Sequence, residues 1–276
     1  LLEPEERQRI KGLIINKFRG DKTILDPGIT MIEELCGIPV VGVTPFLPVE
    51  VEDEDSLSSR LENREGNGLV DIAVIRFPRL SNFTDFQVFS CMPEVSLRYV
   101  NHVRELRTPD LVILPGTKNT IEDLLWMRGS GLEAAVKKLA AGGVPVFGIC
   151  GGYQMMGMSL LDAKGIESAC GPKNVPGMEL IPMDTCYEEE KIRTRVAGAF
   201  GEITGILSGL SGKEMEGYEI HMGMTKAREG RLPMTYLLEQ QGGSKKAKVD
   251  GISDGNCYGT YVHGIFDGKG VAEAVV

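Results

Sequence analysis

The stretch VPVFGICGGYQMMG (144–157) constrains the fold more than any other part of this chain. An apolar, β-branched strand runs straight into Gly148-Ile149-Cys150-Gly151-Gly152 and on into a helix-compatible segment. A side chain at the apex of so sharp a strand-to-helix turn needs small neighbours. The backbone there is strained, and the following helix must pack closely on the strand. The spacing predicts a nucleophile elbow with Cys150 at its apex. A helix start beside the sulfur contributes roughly half a positive charge and favours the nucleophilic thiolate. The competing reading is a buried cysteine in a glycine-rich turn.

An elbow needs a sheet to stand on. LVDIAVIRF (69–77), QVFSC (87–91), LVIL (111–114) and VPVFGI (144–149) read as short buried strands. Leu97–Leu106, Thr120–Met127 and Leu132–Ala141 read as helices, the last ended by Gly142-Gly143. This alternation predicts an α/β fold, a doubly wound, mostly parallel, flavodoxin-like sheet with sites at the strands' C-terminal ends. After about residue 176 the pattern changes to turns and alternating strands in MELIPMDTCY, TRVAGAF, GYEIHMG and CYGTYVHGIF, which predicts added antiparallel strands in the C-terminal half. The Met-rich QMMGMSL reads as core packing behind the elbow.

Ahead of this domain, IKGLIINKF (10–18), an amphipathic segment at Ile29–Leu35 and VVGVTPF (40–46) form a β-α-β piece that looks like the tail of a larger parallel sheet. The expected organisation is therefore 1–49 as a domain remnant, 50–68 as an acidic linker and 69–276 as the main domain.

Composition narrows the function. A net charge of −9 argues against nucleic acid and anionic membranes, which need clustered Lys and Arg. No run approaches the length of a membrane span, and the opening LLEPEERQRIKG is too charged for a signal peptide, so the expected location is cytoplasmic. Six cysteines without a C-x-x-C pair and three histidines predict neither a disulfide framework nor a metal site. SGLSGKE (208–214) lacks phosphate-loop spacing, and Asn82-Phe83-Thr84 matches a glycosylation sequon that a cytoplasmic chain would not use. Thirty-five glycines in 276 residues, nearly 13% against a usual 7% or so, imply many tight turns and close backbone approaches.

A thiolate nucleophile needs a base, and only His102, His221 and His263 are available. His263 ends an alternating strand at Gly264 and is the favoured partner of Cys150. His102 lies in the polar VSLRYVNHVREL and reads as a surface residue; His221, among apolar neighbours, reads as structural or ligand-contacting. Acyl transfer also needs backbone N–H groups for the developing oxyanion. The candidates are Gly151, next to the nucleophile, and Gly116, after the strand at 111–114.

Gly148-Ile149-Cys150-Gly151-Gly152-Tyr153-Gln154 reproduces the G-x-C-x-G-x-Q motif and resembles class I glutamine amidotransferases. With RFPRLSNFTDF (76–86), LPGTKNT (114–120), GYEIHMG (217–223) and GTYVHGIF (259–266), the resemblance narrows to the cobyric acid synthase family. GLIINKFRGD and GIPVVGVTPFLP resemble the end of that family's ATP-dependent, dethiobiotin-synthetase-like domain. The resemblance implies that Cys150 attacks L-glutamine, His263 shuttles the proton, Gly116 and Gly151 hold the oxyanion and Gln154 contacts substrate. Tyr218, Glu219 and His221 would line the site; Ser81, Asn82 and Asp85 would face a corrinoid or an ammonia route.

The family's reaction uses the released ammonia to amidate adenosylcobyrinic acid a,c-diamide with ATP and Mg²⁺ in cobalamin biosynthesis. It implies an ATP domain as partner and no cofactor in this chain. Sibling alternatives are the amidotransferase half of cobyrinic acid a,c-diamide synthase or of a cell-wall amidating enzyme. An alternative of another class is a non-catalytic corrinoid- or partner-binding domain. Usual class I enzymes carry His-Pro-Glu, the Glu orienting the imidazole. This chain has His263-Gly264-Ile265, with Glu219 as the nominee for that task.

Overall fold

Residues 9–46, 68–168, 171, 173–228, 230–241 and 244–276 are described by the structure, a computed structural model. The expected linker at 50–68 lies, apart from Gly68, outside the described residues. The chain divides into two units, Leu1–Glu52 and Asp53–Val276.

In the first unit, β1 (Leu13–Phe18) and β2 (Val40–Pro45) pair in parallel across α1 (Lys22–Cys36). Asp21 caps the helix by accepting the Thr23 N–H at 2.9 Å, and Gly37 ends it in the left-handed region. Ile14, Ile24, Met31, Leu35 and Val41 are each more than half exposed.

The second unit builds its sheet from the β-branched runs of the sequence. β3 (Val70–Ile75), β4 (Val95–Val100), β5 (Leu111–Leu114) and β6 (Val146–Ile149) lie in the order β6-β5-β3-β4, all parallel. Both faces of such a sheet are covered, so its strands are nearly continuous apolar runs. Ile72, Val74, Ile113, Leu114 and Phe147 are fully buried.

Two segments depart from expectation. QVFSC is not a strand: a 3₁₀ turn at Phe83–Phe86 continues into the short helix α2 (Gln87–Ser90). Phe86 and Phe89 are both fully buried, the i, i+3 spacing of a helical face that so short an apolar run conceals. Leu97–Leu106 is not one helix but β4 followed by α3 (Val103–Leu106). The in-register pairing of Val95–Val100 with Val70–Ile75 outweighs the three-residue spacing of Leu97, Val100, Val103 and Leu106. Arg98 then bridges Asp71 at 2.7 Å and reaches the Glu105 carbonyl. His102 is exposed at the N-cap of α3.

Helices α4 (Thr120–Gly129) and α5 (Leu132–Ala141) follow β5, and α6 (Gly151–Met155) follows β6. Met155 and Met156 are fully buried behind the elbow. The short strands β7 (Ser159–Asp162) and β8 (Lys173–Pro176) form a side branch. Beyond them, β9 (Met183–Phe200), β10 (Glu214–Ala227), β11 (Leu232–Gln241) and β12 (Ser244–Asp254) are antiparallel.

The seam between the two regimes is β13 (Cys257–Thr260), parallel to β6 on one edge and antiparallel to β12 on the other. One residue later the chain re-enters the sheet as β14 (Val262–His263), beside β10. The C-terminal α7 (Ala272–Val275) closes the unit. Among the described residues no helix is long and apolar enough to cross a membrane.

Candidate active site

Cys150 sits where β6 ends, with φ 51° and ψ −109°. That left-handed conformation is unusual for a non-glycine residue and is held by its surroundings. The Cys150 N–H donates to the Thr260 carbonyl at 2.8 Å, and its own carbonyl accepts the Gln154 N–H at 3.0 Å. The next turn demands glycine: a Cβ on Gly152 would stand 2.0 Å from the Leu114 carbonyl oxygen of the neighbouring strand. The sulfur is buried, and Sγ approaches the Ile220 carbonyl at 3.6 Å.

His263 arrives from the other side of the seam. It is 2% exposed, and its Nδ1 lies 2.7 Å from Asp85 Oδ2, leaving Nε2 for the sulfur. The other oxygen of Asp85 accepts the Gly264 N–H at 3.0 Å, so the carboxylate holds both the ring and the backbone behind it. Tyr218, opposite His263 in the β10–β14 register, stacks on the imidazole with centroids 5.4 Å apart. Its hydroxyl accepts from Asn82 Nδ2 at 2.6 Å. Burial alone would lower the proton affinity of His263. Hydrogen bonds to Asp85 and Cys150 outweigh burial and push its pKa up to about 10.

A cavity of about 350 Å³ opens over these groups. Cys150, His263, Gln154, His221, Ser81 and Asn82 are among its lining residues. Gln154 is buried and engaged: its Oε1 accepts from Thr120 Oγ1 and Tyr187 OH, and its Nε2 donates to Tyr261 OH, all at 3.1 Å. His221 donates from Nδ1 to the Gly223 carbonyl at 2.8 Å and stacks on Tyr261 at 3.7 Å. Burial lowers its pKa to about 4, so the ring is neutral near pH 7 with Nε2 as an acceptor.

Gly116 lies against the imidazole, since a Cβ there would stand 2.9 Å from His263 Cε1. Gly151 begins α6, where N–H groups have no acceptor within the helix. Glu219 is 1% exposed and ion-paired with Lys248; Asp85 occupies the place at His263 for which Glu219 was nominated.

Asp85 is the group that sequence reading placed elsewhere. It lies 178 residues from His263, and only the SNFTDF motif marks its neighbourhood. Glu167 and Lys191, also on the cavity wall, have no sequence signal of their own. Two roomier clefts lie along Cys186 and Glu188–Glu190 and beside Ala197–Ala199; neither contains a cysteine–histidine pair. Among the described residues no group of three His, Cys, Asp or Glu side chains is placed to hold a metal ion.

A cysteine on the strand-to-helix elbow after β6, facing a histidine that β14 brings to it, defines a glutamine amidotransferase of the class I type. Its fold matches that of PurLQS from Thermotoga maritima, with a TM-score of 0.53 at 16% identity over 75% of this chain and 97% of that one. The chain belongs to the CobB/CobQ-like glutamine amidotransferase domain family, whose model matches residues 71–271. Cobyric acid synthase of Ruminiclostridium cellulolyticum is 52% identical over 97% of this chain and 51% of its own length. The enzyme of the same name from Lachnoclostridium phytofermentans is 46% identical over 100% of this chain and 55% of its own. The chain thus spans about half the length of these curated relatives.

Proposed function

We propose that this chain carries the glutamine-hydrolysing half of a cobyric acid synthase and works in the cytoplasm. The observation that carries the reading is the line Cys150, His263 and Asp85, assembled from three separate segments, with Cys150 and His263 on one cavity and Asp85 behind the imidazole. The relatives' shared name supports the product.

In this reading Cys150 Sγ bonds to the carboxamide carbon of glutamine, and the carbonyl electrons move onto oxygen. The N–H groups of Gly116 and Gly151 stabilise that oxyanion. Collapse expels ammonia, which takes its proton from His263, a group that keeps that proton to about pH 10. Water then adds to the thioester, returns a proton to His263 and releases glutamate with the thiolate restored. Asp85 holds the imidazole in one orientation throughout. Gln154 braces the cavity floor through Thr120, Tyr187 and Tyr261, and the neutral His221 offers Nε2 to substrate. Tyr218 covers the imidazole.

The ammonia would amidate carboxylates of a corrinoid, adenosylcobyrinic acid a,c-diamide, in a step needing ATP and Mg²⁺. The described residues of the first unit do not fit a nucleotide. A phosphate at a helix start needs free N–H groups, whereas the Asp21 carboxylate already occupies the start of α1. We assign ATP and Mg²⁺ to the ATP domain of the longer enzyme.

A glutamine-like diazoketone that alkylates active-site thiols tests the reading. Labelling should fall on Cys150 alone. Labelling spread over Cys36 or Cys257, or none at all, sinks it.

A further inference from the structure

The short path from Thr260 to His263 is fastened from behind by a carboxylate that does not line the cavity, that of Asp250. β12 and β13 pair as far as Ile252 and Gly259. There Gly251 turns left-handed, with φ 70°, and the ladder gives way to the Asp250 side chain, which is buried. Its carboxylate accepts the Thr260 hydroxyl and, at 3.1 Å, the Tyr261 N–H. Thr260 Oγ1 in turn accepts the Val262 N–H at 3.0 Å. β11 steadies Asp250 itself, whose carbonyl accepts from Thr235 Oγ1 at 3.2 Å.

The Thr260 carbonyl and the Tyr261 N–H belong to one planar peptide unit. Cys150 grips one end, its N–H donating to the carbonyl at 2.8 Å, and Asp250 grips the other. Two residues further on stands His263, paired with Tyr218 of β10. A rotation of this one peptide plane would therefore move the nucleophile and redirect the strand that carries its base. Burial pushes the Asp250 carboxyl above the usual carboxylate range, and hydrogen bonds from Thr260, Tyr261 and Gly251 offset part of that cost. An ionised carboxylate accepts at both oxygens and donates at neither, so it can face three donors where an amide of the same shape cannot.

We propose that Asp250 is a positioning residue for the hydrolysis: by fixing the Thr260–Tyr261 peptide it sets the approach of His263 Nε2 to Cys150 Sγ, without touching substrate. The proposal rests on the glutaminase reading and adds a residue behind its reacting pair. A misplacement of about 1 Å, even from a change remote from the chemistry, costs on the order of 10²-fold in rate.

The test compares three substitutions with the unmodified chain, active sites being counted by diazoketone labelling of Cys150. Asp250→Asn replaces one acceptor by a donor. In glutamine hydrolysis its kcat per labelled site should fall by roughly 10- to 100-fold, with KM within about threefold. Thr260→Val, which deletes the hydroxyl at nearly constant shape, should lower kcat in the same direction. Thr260→Ser, which keeps the hydroxyl, should recover most of it. Combining Asp250→Asn with Thr260→Val should cost less than the product of the two separate losses, because both remove the same bond.

A bond that only stabilises the sheet would lower the melting temperature and leave kcat per labelled site unchanged. That result in either Asp250→Asn or Thr260→Val, or an equal loss in Thr260→Ser and Thr260→Val, overturns the proposal and leaves the glutaminase reading standing. Should Asp250→Asn fail to fold, the Thr260 pair decides alone. Failure of the diazoketone to label Cys150 in the unmodified chain removes both.

Discussion

The nucleophile and its base are built in opposite ways. Much of what shapes Cys150 is close at hand in the chain: the β6 strand before it, Gly151 and Gly152 after it, and the Gln154 N–H that returns to its carbonyl. His263 depends on distance. Its orienting carboxylate lies 178 residues away, and the ring that covers it comes from β10. The two sides meet at one backbone bond, the Cys150 N–H to the Thr260 carbonyl, three residues before the imidazole. Local geometry thus makes a nucleophile, and only the closed sheet makes it a pair.

Substitutions can break this contrast. Cys150→Ala should reduce glutamine hydrolysis to background, since among the described residues no second thiol lines the cavity. His263→Ala should cost roughly 10²- to 10⁴-fold in kcat, the usual range for a general acid–base, with the elbow itself unaltered. Asp85→Asn separates the two sides more finely. It keeps the shape of the side chain and removes the charge, so kcat should fall by roughly 10- to 100-fold, in line with a misplaced catalytic group. Loss of the proton from His263 should then move from about pH 10 towards neutrality, visible in the pH profile of Cys150 alkylation. A profile that stays in place would show that Asp85 does not orient the base.

The smallest effect concerns stability. His263 has its pKa raised from 6.5 to about 10, so between those values the folded state binds more protons than the unfolded one. Its contribution is complete below about pH 6.5 and is lost as pH rises through 10. His221 has the opposite sign. Its pKa is lowered from 6.5 to about 4, so the unfolded state binds more protons in that window and stability falls as pH drops from 6.5 towards 4. Urea denaturation across pH should therefore peak near neutrality, and His221→Gln should flatten only the acid arm.

Much of the parallel sheet was legible because a buried parallel strand is a short, continuous apolar run, as at Leu111–Leu114 and Val146–Ile149. The elbow was legible for a related reason: its close strand–helix packing admits only glycine at 152, and that requirement is written in the chain. The Val95–Val100 strand is hard to read because the three-residue spacing of Leu97, Val100, Val103 and Leu106 imitates a helix, and nothing local records that Val70–Ile75 waits beside it. The helix at Gln87–Ser90 was too short for its period to show.

The site divides along the same line. Cys150 and its glycines follow from the steric demand of a sharp strand-to-helix turn, which places the glycines directly beside the cysteine in the chain, and so the sequence alone determined the nucleophile and its turn. The choice of Asp85 rather than Glu219 to orient His263, the engagement of Gln154 and the placing of Glu167 on the cavity wall were decided by tertiary structure. Hydrogen bonds between such distant segments depend on where the folded sheet brings the side chains, and spacing along the chain does not encode that position.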